Sequence, residues 1–520
     1  MYLVTAGEIQ EMDQRTIESF GLPGRVLMEN AGRGATRILL EQFSDIKNKR
    51  VGVIAGRGNN GGDGFVIARG LSQRGIRVSV YLLSDSRRVT GDAAANLELL
   101  KPIAVPTIEL PDEDAFNRHK EAMTEIEIWV DAILGTGLKS TVKGYFKTVI
   151  DFINSRHRPV LAVDIASGLD SDTGQVCGAC IRAQTTATFG FAKTGHMVYP
   201  GAHWTGNLEV IDIGIPPHIV QSVDPRQFLV TPRRVRSCLP PRADDIHKGI
   251  TGHLLVVAGS RDKTGAAAMT ATAALRAGAG LVTLASGASA NTVAATRAME
   301  VMTTSLPEDQ QGIIAESAFD AIEKQMAGKK CMALGPGLGQ TAGIQRLVRR
   351  IIEHSPISLV VDADGINALA GHTRLLKKAC VPVILTPHPG EMARLLDTRT
   401  EVIQQDRIGC ARNFATEFNV YLVLKGSRTV IARPDGRIFI NPTGNAGMAS
   451  AGMGDVLTGF IAGLVAQGLT AGCAALAGVY LHGATADSLA AAMGPYGYLA
   501  GEILQAMPGE IKKIVCDSHR

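Results

Sequence analysis

The chain has 520 residues, too many for one ordinary hydrophobic core, so two large domains are the first expectation. Its 53 basic and 49 acidic residues leave a net charge of only +4, with no long basic block, which argues against a nucleic-acid partner and for small-molecule ligands. A hydrophobic content of 45% with 58 glycines fits α/β architecture, and eight cysteines are too sparse for a disulfide scaffold.

The opening MYLVTAGEIQEMDQRTIESFG has early acids and no apolar stretch with a cleavage site, so a cytoplasmic protein is expected. Apolar spacing over residues 8–43 predicts two amphipathic helices broken at Gly21-Leu22-Pro23-Gly24. Val51 to Ala55 is a short branched apolar run that stops at GRGNNGGDGFVIARGL, giving strand, glycine loop and helix. That order makes phosphate or dinucleotide sites in doubly wound sheets, although a single glycine-rich turn is also compatible with an ordinary tight loop. Two further strands end in the same way. IWVDAIL runs into Gly135-Thr136-Gly137-Leu138-Lys139, and VLAVDI runs into Ala166-Ser167-Gly168-Leu169-Asp170, each with an acid near its carboxyl end, Asp131 and Asp164. In a parallel sheet such ends line one crevice. Asn60, Asp131 and Ser167 are hard oxygen donors that suit potassium. Cys177 and Cys180 form an isolated CxxC with no second pair for a zinc site.

NNGGDGF, DAILGTGL and DIASGLDSDTG together resemble the NAD(P)H-hydrate epimerase domain, a Rossmann-like fold, over about residues 1–220. The resemblance implies that hydrated NAD(P)H, written NAD(P)HX, binds at Asn59, Asn60, Gly61, Gly62 and Asp63. It also implicates Gly135, Thr136, Gly137, Leu138, Lys139, Ser140 and Thr141, together with Asp164. It places potassium on Asn60, Asp131 and Ser167 and makes Lys139 and Asp164 the acid–base pair. From the residue alone, Asp164 is either that group or a cap for the following turn.

Prolines and charges crowd residues 216–245, so the domains are drawn as 1–228 and 229–520. Beyond them HLLVVAGS, CMALGPGLGQ, SLVVDADGINALA, VPVILTPHPGE and VYLVLKGSRTVIA alternate with helical stretches, which predicts a second parallel α/β domain. Val456 to Leu481 is apolar enough to suggest a membrane span, with Gly459 and Gly463 at helix-dimer spacing. Gln467, Gly468 and Thr470 interrupt it and predict two buried helices instead, with no membrane partner. The stretch NPTGNAGMASAGMGDVLTGF joins a glycine-rich turn to a helix start, where free N–H groups suit a phosphate. Asp455 there is either a dipole-complementing acid or a base.

GPGLG, DADGINAL, TPHPGE, KG and GMGD resemble the ADP-dependent NAD(P)H-hydrate dehydratase domain, a ribokinase-like fold, over about residues 229–515. The resemblance implies ADP on Lys425, Gly426, Ser427, Arg428, Thr429 and Gly454, and NAD(P)HX on Ala267, Gly337, His388 and Asp455, with magnesium on the phosphates. Lys425 is otherwise a solvated strand-end lysine and His388 a rigid turn residue. Glu391 and Asp364 are either magnesium ligands or a helix cap and a turn acid, the turn reading being preferred for Asp364. The implied reaction has Asp455 activate the ring hydroxyl for attack on ADP, with AMP and phosphate released; a homo-oligomer is expected. The alternative is a ribokinase-like small-molecule kinase fused to a cofactor-binding module.

Overall fold

The computed structural model describes residues 1–138, 140–239 and 241–516. The chain divides into two compact units, one running from Tyr2 to Gln227 and the other from Phe228 onward, with Met1 counted to the second.

The first unit is built on seven parallel strands. Their order across the sheet is Thr107–Glu109, Arg77–Leu82, Arg50–Ala55, Ile128–Ala132, Val160–Val163, Thr185–Phe189 and Asn207–Ile211. The chain enters at Arg50–Ala55, works outward to one edge, then returns to the other side of its starting strand. The crevice at this reversal, past the carboxyl ends of Arg50–Ala55 and Ile128–Ala132, is where such sheets bind ligands. Strands buried on both faces explain the unbroken apolar runs, and each face has its own core, one around Phe65 and Leu39 and the other around Trp129 and Phe116. The helix Ala6–Glu18 is fixed at its start by reciprocal bonds between Thr5 and Glu8. A short parallel pair, Tyr2–Val4 with Ala192–Lys193, brings Lys193 into the interior.

In the second unit nine strands follow the order Met302–Leu306, Leu281–Gly287, His253–Val257, Cys331–Leu334, Ser358–Val361, Val383–Leu385, Tyr421–Leu424, Val430–Ala432 and Ile438–Ile440. The first seven are parallel and the last two antiparallel. Both units are thus doubly wound α/β structures. The apolar stretch near the end of the chain forms two helices, Met453–Ala466 and Ala471–Met493, and among the described residues no helix is long and apolar enough to cross a membrane. Gly459 and Gly463 let the first of these lie directly on the helix Thr264–Arg276: a Cβ on Gly459 would sit 2.0 Å from the carbonyl oxygen of Thr270. Val456, Phe460 and Ile461 then enter the same core as Val256, Ala333 and Val360.

Candidate active sites

In the first unit a cavity of about 810 Å³ opens at the reversal of the sheet. Asn59 and Asn60 line it from the first turn of the helix Asn59–Ser72, whose start has no side-chain cap and leaves its leading N–H groups available. Gly61 permits this tight entry, because a Cβ there would lie 2.0 Å from the carbonyl oxygen of Gly56. Gly62 packs beside Met28, and Asp63 reaches the cavity from the next helical position. Opposite stand Gly135, Thr136 and Gly137. Leu138, Ser140 and Thr141 continue that loop, and Lys139 lies outside the described residues.

Asp164 lines the same cavity in a left-handed conformation, φ +64°, which aspartate adopts more readily than most residues. Its Oδ1 accepts from Lys193 Nζ at 2.5 Å, from Thr188 Oγ1 at 3.0 Å and from the Phe189 N–H at 3.2 Å. Burial alone would raise its pKa, but the Lys193 ammonium, with help from its hydrogen bond and from the Phe189 N–H, holds the carboxyl below its ordinary value. Asp164 is therefore an ionised carboxylate at neutral pH.

Asp131 and Ser167 sit deeper. The fully buried Asp131 carboxylate accepts from Ser167 N–H at 2.8 Å and Ser167 Oγ at 2.6 Å, which ties two strand ends together. Burial pushes its pKa up to about 6, and among the described residues only hydrogen bonds from Ser167 and Ile133 oppose the shift. Across the Leu134–Gly135 turn, which Ser167 Oγ also contacts, both polar atoms of the Asn60 amide are buried without partners. A buried carboxylate lacking a counter-charge and an unsatisfied amide oxygen are the environment a small hard cation would complete, so these residues fit potassium.

In the second unit the strand ends converge. Asp362 follows Ser358–Val361, His388 lies three residues beyond Val383–Leu385, and Lys425 follows Tyr421–Leu424. Lys425 Nζ donates to Asp362 Oδ1 at 2.7 Å and lies 3.9 Å from Glu391 Oε2, while Thr458 Oγ1 donates to Asp362 Oδ2 at 2.8 Å. Removing one partner of so buried a pair costs about 3–5 kcal/mol, so Lys425 is no free surface lysine. Burial opposes its charge, but Asp362 and Glu391 outweigh this and raise its pKa. Gly452, at φ +88°, turns the chain into the helix Met453–Ala466, and a Cβ on Gly454 would stand 3.5 Å from Lys425 Nζ.

Asp455 lies in the first turn of that helix and lines a cavity of about 530 Å³ with Gly337, Asp364, His388 and Glu391. Burial, followed by repulsion from Asp362, pushes its pKa up to about 6. Ala267 is fully buried in the core, and its neighbour Ala266 lines the cavity. Asp364 accepts from Lys263, Gly339 N–H and Gln340, which occupies both its oxygens. Glu391 Oε2 accepts the His388 N–H at 2.8 Å, and Oε1 is 3.5 Å from His388 Nε2. The loop Gly426, Ser427, Arg428 and Thr429 rests on Arg407, whose buried guanidinium donates to the carbonyl oxygens of Leu424, Lys425 and Ser427. Arg428 closes the loop by donating to the Pro442 carbonyl.

A family model described as NAD(P)H-hydrate dehydratase matches residues 254–509, and one described as YjeF-related protein N-terminus matches residues 24–195. Over 515 residues the chain is 45% identical to the bifunctional NAD(P)H-hydrate repair enzyme Nnr of Moorella thermoacetica, covering 99% of this chain and 97% of that one. The Escherichia coli protein of the same name is 33% identical over 526 residues, covering 99% and 95%. The chain belongs to the bifunctional NAD(P)H-hydrate repair enzymes. A solved ADP/ATP-dependent NAD(P)H-hydrate dehydratase from Bacillus subtilis, co-crystallised with ATP and Mg2+, is 32% identical and covers 55% of this chain and 98% of its own, with a TM-score of 0.49.

As a bifunctional NAD(P)H-hydrate repair enzyme, the protein has an epimerase-type first domain and a dehydratase second domain. Sequence reasoning passed over three charged residues that its two sites contain. Asp362 obeys the same rule, an acid just past a strand, that singled out Asp164. Lys193 is signalled only by a lysine in the apolar run FGFAKTG, and Asp13 by an acid on the face of Ala6–Glu18 that Ile9, Met12 and Thr16 bury.

Proposed function

We propose that the first domain interconverts the C6 epimers of NAD(P)HX, turning (6R) into (6S), and that the second dehydrates the (6S) form with ADP as phosphoryl donor, releasing AMP and phosphate. The observation that carries this reading is the setting of Asp455, a carboxylate of raised pKa that opens on a cavity, at a helix start close to the charges of Lys425 and Asp362. A hydroxyl on C6 is a poor leaving group. Asp455 takes its proton, the freed oxygen attacks the terminal phosphorus of ADP, and the bond to AMP breaks. The N1 lone pair then expels phosphate from C6, and loss of a C5 proton restores the dihydropyridine. Lys425 and the first N–H groups of Met453–Ala466 face the phosphates in this arrangement and offset their charge. Glu391 would hold magnesium, which neutralises phosphate charge when bound; Asp364, with both oxygens engaged, serves as a brace for the Gly337–Gln340 loop.

In the first domain, inversion at C6 follows from ring opening. A base removes the hydroxyl proton, C6 becomes a carbonyl as its bond to N1 breaks, and N1 takes a proton; attack on the other face reverses the sequence. Asp164, ionised by Lys193, is suited to be the base. Asn60, Asp131 and Ser167 would hold potassium, which supplies a fixed positive charge beside the cavity when bound.

The test is a mixture of hydrated NADH epimers with ADP and magnesium. We expect the absorbance of reduced nicotinamide to return in full, in a fast and a slow phase. Recovery that stops at the fast phase would remove the epimerase assignment, and a stable phosphorylated product without NADH would favour a kinase.

Potassium is tested through stability as well as rate. A cation bound only by the folded state at a hundred times its dissociation constant stabilises by about 2.7 kcal/mol. Adding potassium to ion-free protein is expected to raise the unfolding midpoint of the first domain and to restore epimerisation, with lithium less effective. Equal midpoints in the two salts would count against the site.

A further inference from the structure

The carboxylates Asp13, Asp63 and Asp164 line the first cavity together with one buried ammonium, Lys193. The three donors of that ammonium are all engaged, by Asp164 Oδ1 at 2.5 Å, Thr188 Oγ1 at 2.9 Å and the Phe189 carbonyl at 3.0 Å. Nothing is left for Asp13. Its Oδ1 is buried, without a hydrogen-bond partner, in a side chain that lines the cavity. An isolated buried carboxylate oxygen is costly, and like charges so placed do not all ionise. The group is either protonated or engaged by a ligand's donor.

We infer that Asp13 is a catalytic acid of the first domain, holding the proton that N1 of the hydrated nicotinamide ring receives when its bond to C6 breaks. The assignment rests on the epimerase reading above. In the step, Asp164 accepts the C6 hydroxyl proton, the C6–N1 electron pair goes to N1, and N1 takes the Asp13 proton. Ring closure on the opposite face returns the N1 proton to Asp13 and the Asp164 proton to oxygen, so no atom or electron is gained or lost. The remaining charged and titratable neighbours fit this division. Burial raises Asp13 to about 6, near the pH at which it must both give and regain a proton. Burial, with Asp164 and Asp13 adding repulsion, raises Asp63 well above the ordinary carboxylate range, while burial and Lys193 lower His196 to about 3 and keep it neutral. Arg57, Arg88 and Asp92 also line the cavity, which places further charge of both signs on its wall.

The experiment follows the slow phase of NADH recovery from an epimer mixture in the full-length enzyme, corrected for spontaneous epimerisation between pH 5 and 8. Dehydration of the pure reactive epimer is measured beside it as a check on the second domain. We expect the wild-type rate to fall with rising pH above about 6, and Asp13→Asn to slow epimerisation by about 10²–10³-fold and to lose that fall. Asp13→Glu, which keeps the titrating group, should retain that fall, and formate should restore part of the rate of Asp13→Ala. A wild-type rate and pH profile in Asp13→Asn would overturn the assignment. So would a slow Asp13→Ala that formate does not rescue while Asp13→Glu is equally slow, the pattern of a structural role. A wild type that shows no slow phase would instead indict the epimerase reading itself.

Discussion

Asp455→Asn is expected to lower the rate of NAD(P)HX dehydration by about 10²–10⁴-fold, the range lost with a general base, while epimerisation in the first domain continues. In energy this is about 3–5.5 kcal/mol of transition-state stabilisation. The substitution is nearly isosteric, and it relieves the repulsion from Asp362 that contributes to raising Asp455, so the variant should fold at least as well as the wild type. A carboxylate lifted to about 6 also predicts a pH profile. The base is ionised above that value, so kcat/KM for dehydration should rise with pH through about 6 and level off by neutrality, as the free-enzyme pKa dictates. In the variant the residual rate should lack that limb. The measurement is ADP-dependent NADH recovery from the pure (6S) epimer across pH 5–8. Near-original turnover by Asp455→Asn would remove the residue from the mechanism.

The second large effect is that of Asp164→Asn on epimerisation, again about 10²–10⁴-fold. Its reading is complicated by Lys193. Asparagine tolerates the left-handed backbone and could cap the following turn as aspartate does, so a purely local role would leave the variant almost unchanged. The buried ammonium, however, would lose its counter-ion, and breaking such a pair costs about 3–5 kcal/mol. The first domain should therefore unfold at a lower temperature and the slow phase should collapse, with dehydration of the reactive epimer preserved. Pairing the change with Lys193→Met removes the stranded charge. Stability is expected to recover in the double variant and activity is not. A double variant that regained the slow phase would show that Asp164 acts through the fold alone.

Much of this was legible in the sequence because several apolar runs that each end in a glycine loop read together as strand ends of a parallel sheet. The strands before Gly56, Gly135 and Gly335 and the helix after Gly452 follow from it, and so does the gathering of Asn60, Gly135 and Asp164 at one reversal of the sheet. Partners distant in sequence could not be read. That Lys425 meets Asp362, or Lys193 meets Asp164, depends on which strands become neighbours, and spacing along the chain does not carry that information. Asp364 illustrates the limit from the other side: two residues from Asp362 and equally acidic, it is spent on Lys263, Gly339 and Gln340. Only the crossing of the chains distinguishes the acid that pairs with Lys425 from the acid that braces a loop.

Gly459 and Gly463 have a consequence for how the molecule tolerates change. They are buried, a turn or two along from Asp455, and do not line the cavity that Asp455 lines; each fits its place because the Thr264–Arg276 helix passes within contact of its Cα. A side chain at either position would push the Met453–Ala466 helix off its seat, and Asp455 would move with it relative to Lys425. A mutational survey scored on turnover alone would then mark these glycines as though they took part in the chemistry. Their hold on the reaction is that of a datum line: they set the zero from which the position of the acid is measured.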